Sequence, residues 1–209
     1  MEEPVRCPYR TCGQVHAAEV WATVVCPACG RAARGRPVRL EASLEARRRQ
    51  AGDRPLPAIR SALILEDIRS MWNVGSMLRT ADGLGVSHVF LCGITGIPPH
   101  PELERTALGA EQVVSWSYCR HPFDAMEVLG DVPMVSLESG PGAVPLTAWS
   151  GERFALVVGN EPGGVSAEVL AESRATLYIR MQGHKESLNV AVAAGIALWT
   201  LLNGGTRQP

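Results

Sequence analysis

The stretches FALVVGNEPGGVSAEVL, residues 154–170, and LYIRMQGHKESLNVAVAAGIALWTLL, residues 177–202, decide the fold. In each of them a short apolar run ends in a polar turn that contains glycine, and a helical pattern follows. Residues 154–158 and 177–181 have the length of strands, and Ser166 is placed to cap the first helix. In open α/β sheets, ligands bind where loops leave the carboxyl ends of strands. The two polar turns therefore predict a ligand site.

Strand and helix patterns also alternate before these stretches. Apolar residues at helical spacing from Val74 predict a helix, with Asn73 as its N-cap and Arg79 off its apolar side. The second long stretch predicts a helix from Ser187 onward. Further runs predict strands over 61–66, 88–92, 113–116 and 133–137 and a helix over 123–129. This alternation predicts an α/β fold with a parallel sheet.

Length and composition set the class of protein. A chain of 209 residues has room for one ordinary α/β domain and a small appendage. Hydrophobic residues make up 46% of the chain and the mean hydropathy is +0.04, values that suit a soluble protein with a core. No apolar run is long enough to span a membrane, and the first residues lack the pattern of a secretory signal. We therefore expect a cytoplasmic protein.

Charge is distributed unevenly along the chain. Residues 1–60 contain eleven arginines and six acidic residues, whereas the rest of the chain is acidic and the overall net charge is −1. A basic first segment on an acidic body favours an anionic partner that binds at that end. A solvated arginine-rich linker explains the same pattern, and the sequence does not separate the two interpretations.

Four cysteines near the start have the spacing of a metal site. They follow the pattern C-x4-C-x13-C-x2-C, and a glycine follows soon after each pair, which lets the backbone turn around the sulfurs. Two such pairs are typical of one tetrahedral zinc in a zinc ribbon. A disulfide framework is the competing interpretation, but a cytoplasmic chain disfavours it. We predict structural zinc bound by Cys7, Cys12, Cys26 and Cys29.

These patterns predict three segments. Residues 1–35 form the zinc-ribbon-like unit, residues 36–60 form a linker rich in arginine, and residues 61–205 form the α/β domain. The linker contains Pro37, Gly52, Pro55 and Pro57, which interrupt regular structure.

Three short motifs in the α/β domain resemble one known family. The first is Asn73-x-Gly75-x-x-x-Arg79, the second is the run GNEPGG from Gly159, and the third spans residues 179–190. In this order and near this spacing they resemble the motifs of the SPOUT-superfamily RNA methyltransferases, in the SpoU/TrmH branch. The resemblance covers residues 60–203. The second motif carries an additional proline, and the charged run HKE precedes the serine of the third.

The resemblance has consequences for fold, cofactor and partners. It implies a parallel-sheet SPOUT domain whose C-terminal segment forms a trefoil knot that holds S-adenosylmethionine, and it implies a homodimer. It also implies transfer of a methyl group to a ribose 2′-hydroxyl of tRNA or rRNA. A second hypothesis is a non-catalytic knotted protein that binds RNA or the ribosome.

The resemblance also assigns residues to the site. It implies that the cofactor is bound by Leu137, Glu138, Gly159, Asn160, Ile179, Met181 and Leu188. It implies that the reaction is carried by Arg79, Asn73, Glu161, Ser187 and Asn189. Arginine is a poor free base because its pKa lies above about 12, so we expect Arg79 to orient and polarise the hydroxyl.

Plainer interpretations of the same residues remain open. Taken alone, Asn73 is more typical of a helix cap and Arg79 of a surface residue than of a reaction site, and Glu161 is also typical of a loop acid and Ser187 of an N-cap. The turn from Gly159 is compatible with a phosphate-binding loop, although the chain contains neither G-x-G-x-x-G after a first strand nor G-x-x-x-x-G-K-[ST].

Overall fold

The computed structural model describes the backbone of residues 5–6, 15–16 and 38–39 and the whole of residues 59–204. The first three pairs form a small antiparallel sheet of strands β1 (Val5–Arg6), β2 (Val15–His16) and β3 (Val38–Arg39), in the order β2-β1-β3. Strand β3 lies in the segment predicted as a linker. The predicted zinc ligands Cys7, Cys12, Cys26 and Cys29 lie outside the described residues.

The main sheet has seven strands, and every pairing within it is parallel. The order across the sheet is β6-β5-β4-β9-β7-β10-β8. The strands are β4 (Ser61–Glu66), β5 (His88–Cys92), β6 (Trp116–Cys119), β7 (Met134–Leu137), β8 (Val144–Pro145), β9 (Phe154–Val158) and β10 (Ala175–Tyr178). The predicted α/β class with a parallel sheet is confirmed.

Helices cover both faces of this sheet. They are α1 (Met71–Gly83), α2 (Pro101–Ala107), α3 (Ala110–Val113), α4 (Pro122–Leu129), α5 (Ala167–Glu172) and α6 (Val190–Asn203), with a 3-10 turn at Leu146–Ala148. Among the described residues, no helix combines the length and the apolar character needed to cross a membrane.

The central strands β4 and β9 are buried along their whole length because helices pack on both sides. Successive side chains of a strand point to opposite faces. Accordingly Leu63 and Leu65 belong to a core cluster with α1 and α6, whereas Ala62 and Ile64 belong to a second cluster with α4 and α5. Helices α1 and α6 therefore share one face of the sheet.

The start of α1 differs from the prediction. The helix begins at Met71, and its N-cap is Ser70, whose Oγ accepts a hydrogen bond from the Asn73 N–H at 3.3 Å. The assignment of Asn73 as N-cap is therefore wrong, and Asn73 lies in the first turn. Its side chain is consequently available for contacts with other parts of the chain.

Two other boundaries also differ. Helix α6 begins at Val190 with Asn189 as its N-cap, three residues after the predicted start at Ser187. The strand predicted over 113–116 is wrong because Ala110–Val113 forms a helical turn, and β6 follows it at Trp116–Cys119. The strand predicted over 177–181 begins two residues earlier and ends at Tyr178, which leaves Ile179 and Met181 in the following loop.

Candidate functional site

The loops that leave the carboxyl ends of β7, β9 and β10 enclose a cavity of about 590 Å³. We call it the knot-loop cavity, after the knot that the family resemblance implies for this part of the chain. Its size lies within the roughly 300–1,000 Å³ of small-molecule pockets. Its wall includes all seven residues that the sequence assigned to the cofactor, namely Leu137, Glu138, Gly159, Asn160, Ile179, Met181 and Leu188. Tyr178 and Glu186 also line it and were not predicted, although each directly adjoins a motif residue.

The loop after β9 is folded tightly on itself. The Gly164 N–H donates to the Asn160 carbonyl at 2.7 Å, and a Cβ atom at Gly159 would collide with the backbone of Gly164 and Val165. Gly164 also has a positive φ of 66°, which favours glycine. The glycines of this motif therefore allow close backbone approach at the wall of the knot-loop cavity.

Glu138 ties two of the loops together. It directly follows β7, and its Oε2 accepts the Val165 N–H at 3.1 Å, while its Oε1 accepts the Ser139 N–H at 2.9 Å. A Cβ atom at Gly164 would collide with the Glu138 carboxylate. In the described structure this carboxylate therefore supports the loop after β9.

Glu161 connects the loop after β9 to the start of α1. Its Oε2 accepts the Arg69 N–H at 3.1 Å, and its Oε1 accepts the Ser70 N–H at 3.3 Å and the Asn73 side-chain amide at 2.9 Å. Partial burial by itself raises the pKa of Glu161, but the hydrogen bonds from Asn73 and from backbone N–H groups outweigh burial and lower the pKa overall. The carboxylate is thus held in its charged form at the N-terminal end of a helix, where negative charge is favourable.

Asn73 and Asn189 extend this connection to the third motif. The Asn189 Nδ2 donates to the Asn73 Oδ1 at 3.1 Å, and the Asn189 Oδ1 accepts the N–H groups of Ala191 and Val192 at 2.9 and 3.3 Å. Asn73 is therefore bonded to residues 88 and 116 positions away, one in each of the other motifs. We call Asn73, Glu161 and Asn189 the three-motif junction.

The remaining predicted reaction residues are distributed differently. Ser187, like Glu161 and Asn189, lines the knot-loop cavity. Asn73 lines an adjoining open cleft of about 580 Å³, together with Glu161 and Pro162. Arg79 is exposed and lines neither cavity. It lies six residues after Asn73, which at 100° per residue places it about 120° away around α1.

Asn160 has a structural contact that the sequence did not indicate. Its Nδ2 donates to the Asp67 carbonyl at 3.0 Å, and its Oδ1 is buried and accepts no hydrogen bond from the described residues. Asn160 therefore fixes the loop after β9 to the end of β4. A buried acceptor without a donor at a cavity wall is suited to a ligand N–H or O–H group.

The site is suited to an organic ligand that is partly polar. Peptide groups of the loop after β9 and the carboxylates of Glu138 and Glu161 meet the apolar side chains of Leu137, Ile179 and Leu188 in one cavity. Within residues 59–204, no three His, Cys, Asp or Glu side chains are placed to hold a metal ion.

Comparison with known proteins places this geometry in a family. The model of the SpoU rRNA Methylase family matches residues 60–199. A 23S rRNA (guanosine(2553)-2′-O)-methyltransferase of Bacillus subtilis is 33% identical over 147 residues, which are 70% of this chain and 59% of the relative. The chain thus spans less than two thirds of that relative.

Solved structures agree with the sequence comparison. An AdoMet-bound rRNA methyltransferase of Sinorhizobium meliloti matches with a TM-score of 0.66 and 25% identity, over 76% of this chain and 61% of that one. A structure that gives insights into the 2-OH methylation of C/U34 on tRNA matches with a TM-score of 0.65 and 28% identity. The match covers 73% of this chain and 100% of that one. The matched family model spans most of the seven-stranded domain and all three motifs, and the chain belongs to the SpoU rRNA methylase family.

Proposed function

We propose that this protein transfers a methyl group from S-adenosylmethionine to a ribose 2′-hydroxyl of tRNA or rRNA. The observation that carries the proposal is the three-motif junction at the wall of the knot-loop cavity. It joins residues of all three motifs by direct hydrogen bonds beside a cavity of nucleoside size. The relatives support the substrate, because their names describe 2′-O-methylation of 23S rRNA and 2-OH methylation of tRNA.

The knot-loop cavity fits S-adenosylmethionine by its chemistry. Leu137, Ile179 and Leu188 offer apolar contact, and the loop of Gly159 offers backbone groups at close range. The buried Asn160 Oδ1, which accepts no hydrogen bond from the described residues, is a further acceptor for the ligand. When bound, the cofactor supplies an electrophilic methyl group.

The chain's own residues bind and orient the substrate. Glu161 and Asn189 hold the Asn73 amide in place between the cavity and the open cleft, so that a ribose entering the cleft meets a fixed donor and acceptor. Transfer also needs removal of the hydroxyl proton. We assign to Arg79 the orientation and polarisation of the hydroxyl, and to Ser187 a hydrogen bond within the cavity.

Arg79 does not face the cavity of its own chain, and this favours the homodimer. Helix α6 presents a stripe of Val192, Ile196 and Trp199, which are 52%, 40% and 60% exposed. The stripe lies beside α1, where Gly195 approaches Thr80. Large apolar side chains in one exposed stripe are typical of a protein interface. We propose that a second copy covers it, which would place Arg79 close to the boundary between two subunits.

Other parts of the proposal rest on the sequence. We propose that the C-terminal segment forms the trefoil knot and that residues 61–205 form the methyltransferase domain. We propose that residues 1–35 form a zinc ribbon bound through Cys7, Cys12, Cys26 and Cys29. With the arginine-rich segment 36–60, this ribbon would bind RNA, since guanidinium groups pair well with phosphates.

Transfer of labelled methyl from S-adenosylmethionine tests the reaction. Separated tRNA and rRNA fractions from cells that lack the gene would serve as substrates, with Arg79→Ala protein as control. We expect label in one fraction, as 2′-O-methylnucleoside, and loss of the label with the variant. Cofactor binding without label in either fraction would refute the enzyme and favour the RNA- or ribosome-binding protein.

The homodimer has its own test. Replacing Ile196 by glutamate puts a charge into the exposed stripe without disturbing a buried position, and we expect the mass measured by analytical ultracentrifugation to fall from two chains to one. Glu172→Gln, on the exposed end of α5, is a control that leaves the mass unchanged. A wild-type protein that sediments as a monomer would refute the homodimer.

A further inference from the structure

Trp72 is an exposed aromatic residue directly beside the three-motif junction. It is 48% exposed, although tryptophan is on average highly buried in folded proteins. Within residues 59–204 the other tryptophan that is exposed to such a degree is Trp199, which belongs to the apolar stripe of α6. Trp72 lies on a different helix, in the first turn of α1 and immediately before Asn73. The indole is therefore placed to contact a molecule that binds near the junction.

The backbone around Trp72 is fixed from two sides. On one side, the Thr106 hydroxyl of α2 donates to the Trp72 carbonyl at 3.1 Å. On the other side, the Glu161 carboxylate accepts the Ser70 N–H at 3.3 Å and the Asn73 side-chain amide at 2.9 Å. A tryptophan side chain has only two rotatable bonds, so an indole on a fixed backbone loses little conformational freedom when a ligand binds to it.

The neighbours of Trp72 are suited to a sugar and a phosphate. Asn73 and Arg69 line the open cleft, and the Arg69 side chain is exposed. Trp72 does not line the cleft itself, but the Cα atoms of consecutive residues are about 3.8 Å apart. A nucleotide whose ribose meets the Asn73 amide can therefore extend its base onto the indole. The guanidinium of Arg69 is suited to an adjoining phosphate.

The face of α1 that carries Trp72 also carries Arg79. The two residues are seven positions apart, which corresponds to about 20° around the helix and about 10 Å along it. Both are exposed, whereas Val74, Met77 and Leu78 are buried on the opposite side of the helix. The outward face of α1 thus presents an aromatic ring together with a guanidinium. Aromatic rings combined with basic side chains are the groups by which proteins hold unpaired nucleotides.

We propose that Trp72 stacks on the base of the target nucleotide and thereby positions its ribose at the three-motif junction. This inference rests on the proposed RNA substrate, and it makes Trp72 a positioning residue for the reaction. A base that stacks on a side chain has left its own helical stack, so the target nucleotide lies in a single-stranded or opened part of the RNA. Every base has a face for stacking, so Trp72 fixes the position of the nucleotide and does not select its base.

NMR titration of the full-length protein tests the stacking contact without any need for turnover. The probe is the trinucleotide ApApA, and its control is the same chain of ribose phosphates without the bases. The indole N–H signal of Trp72 is the reporter, and its absence from the spectrum of Trp72→Leu identifies it. We expect ApApA to shift this signal upfield through the ring current of a stacked base, and the chain without bases to leave it in place. No shift with either probe, or an equal shift with both, would overturn the proposal.

Two variants separate stacking from apolar packing. Trp72→Tyr keeps an aromatic face, whereas Trp72→Leu keeps an apolar side chain without one. We expect Trp72→Leu to weaken the binding of ApApA at least about five-fold, as for the loss of one base–aromatic contact, and Trp72→Tyr to retain most of the affinity. The affinity for S-adenosylmethionine and the sedimentation mass should not change in either variant. Equal affinity of the two variants for ApApA, or a mass that falls from two chains to one in Trp72→Leu, would overturn the proposal, because Trp72 would then serve apolar packing.

The stacking contact and the proposed reaction can fail separately. Methyl transfer to RNA by a wild-type protein whose Trp72 signal does not respond to ApApA would overturn the stacking contact alone. A shift that depends on the bases, in a protein that transfers no methyl group, would sustain the stacking contact and refute the reaction.

Discussion

Glu161→Gln tests the three-motif junction with a change of one atom. Glu161 accepts three hydrogen bonds, from the Arg69 and Ser70 N–H groups and from the Asn73 amide. A glutamine keeps one oxygen, which satisfies two of these donors when it faces Ser70 and Asn73. Its NH₂ group then faces the Arg69 N–H, so one bond to a charged acceptor is lost and the other two are weakened.

The magnitude follows from these contacts. A hydrogen bond to a charged group contributes about 1.5–3 kcal/mol, and the exposure of Glu161 to solvent reduces this to about 1–2 kcal/mol. We expect the free energy of unfolding to fall by that amount. The loop after β9 then has to be ordered when the cofactor binds, so the Kd for S-adenosylmethionine should rise by up to about 5–30-fold.

Urea denaturation and titration with S-adenosylmethionine provide the two readouts. Glu172→Gln is the matched control, since it removes the same charge from an exposed position outside the knot-loop cavity and the open cleft, and it should leave both quantities unchanged. The reasoning is refuted if Glu161→Gln matches the wild type in stability and in affinity for S-adenosylmethionine, because the three-motif junction would then stabilise neither the fold nor the cofactor site.

Three further predictions concern single residues. Arg79→Ala should reduce methyl transfer at least about 100-fold and leave the Kd for S-adenosylmethionine unchanged, because Arg79 lies outside the knot-loop cavity; intact turnover would remove its role. Asn189→Ala should lower the free energy of unfolding by about 1–2 kcal/mol, because α6 loses its N-cap, and it should weaken cofactor binding. Asn189→Asp should retain the cap and lose only the hydrogen bond to Asn73. Burial lowers the pKa of His88 to about 4, below its ordinary value of 6.5. As the pH falls below 6.5, His88 therefore binds a proton in the unfolded chain but stays neutral in the folded protein, which lowers the free energy of unfolding. Urea denaturation should therefore show about 2 kcal/mol less stability at pH 5 than at pH 7, and His88→Gln should remove that difference.

The strands that carry the site could be predicted because each has a local signal. Residues 154–158 form a buried apolar run that ends at a glycine, and the structure has β9 over the same residues. The start of α1 could not be predicted in this way. Ser70 and Asn73 are both typical N-cap residues, and the apolar spacing used to find the helix begins only at Val74, so the first turn lacked a signal.

Local sequence patterns could not predict the contacts within the site, for a different reason. Asn73 meets partners 88 and 116 positions away, and spacing along a sequence does not encode such pairs. The resemblance grouped the three motifs but did not give their hydrogen bonds. The apolar spacing of α1, by contrast, predicted Arg79 off the apolar side of the helix, and the structure has it exposed.

The polarity of the three-motif junction explains why its central residue is an asparagine. At one end, the Asn189 Oδ1 accepts backbone N–H groups of α6, so its amide nitrogen must point toward Asn73. At the other end, the Glu161 carboxylate can only accept, and it already accepts hydrogen bonds from the N–H groups of Arg69 and Ser70, directly before α1. The residue between them must therefore accept on one side and donate on the other. An aspartate would set two carboxylates against each other, and an apolar residue would leave two partners without a bond. Backbone N–H groups at the N-terminal ends of two helices thus determine the orientation of the Asn73 amide.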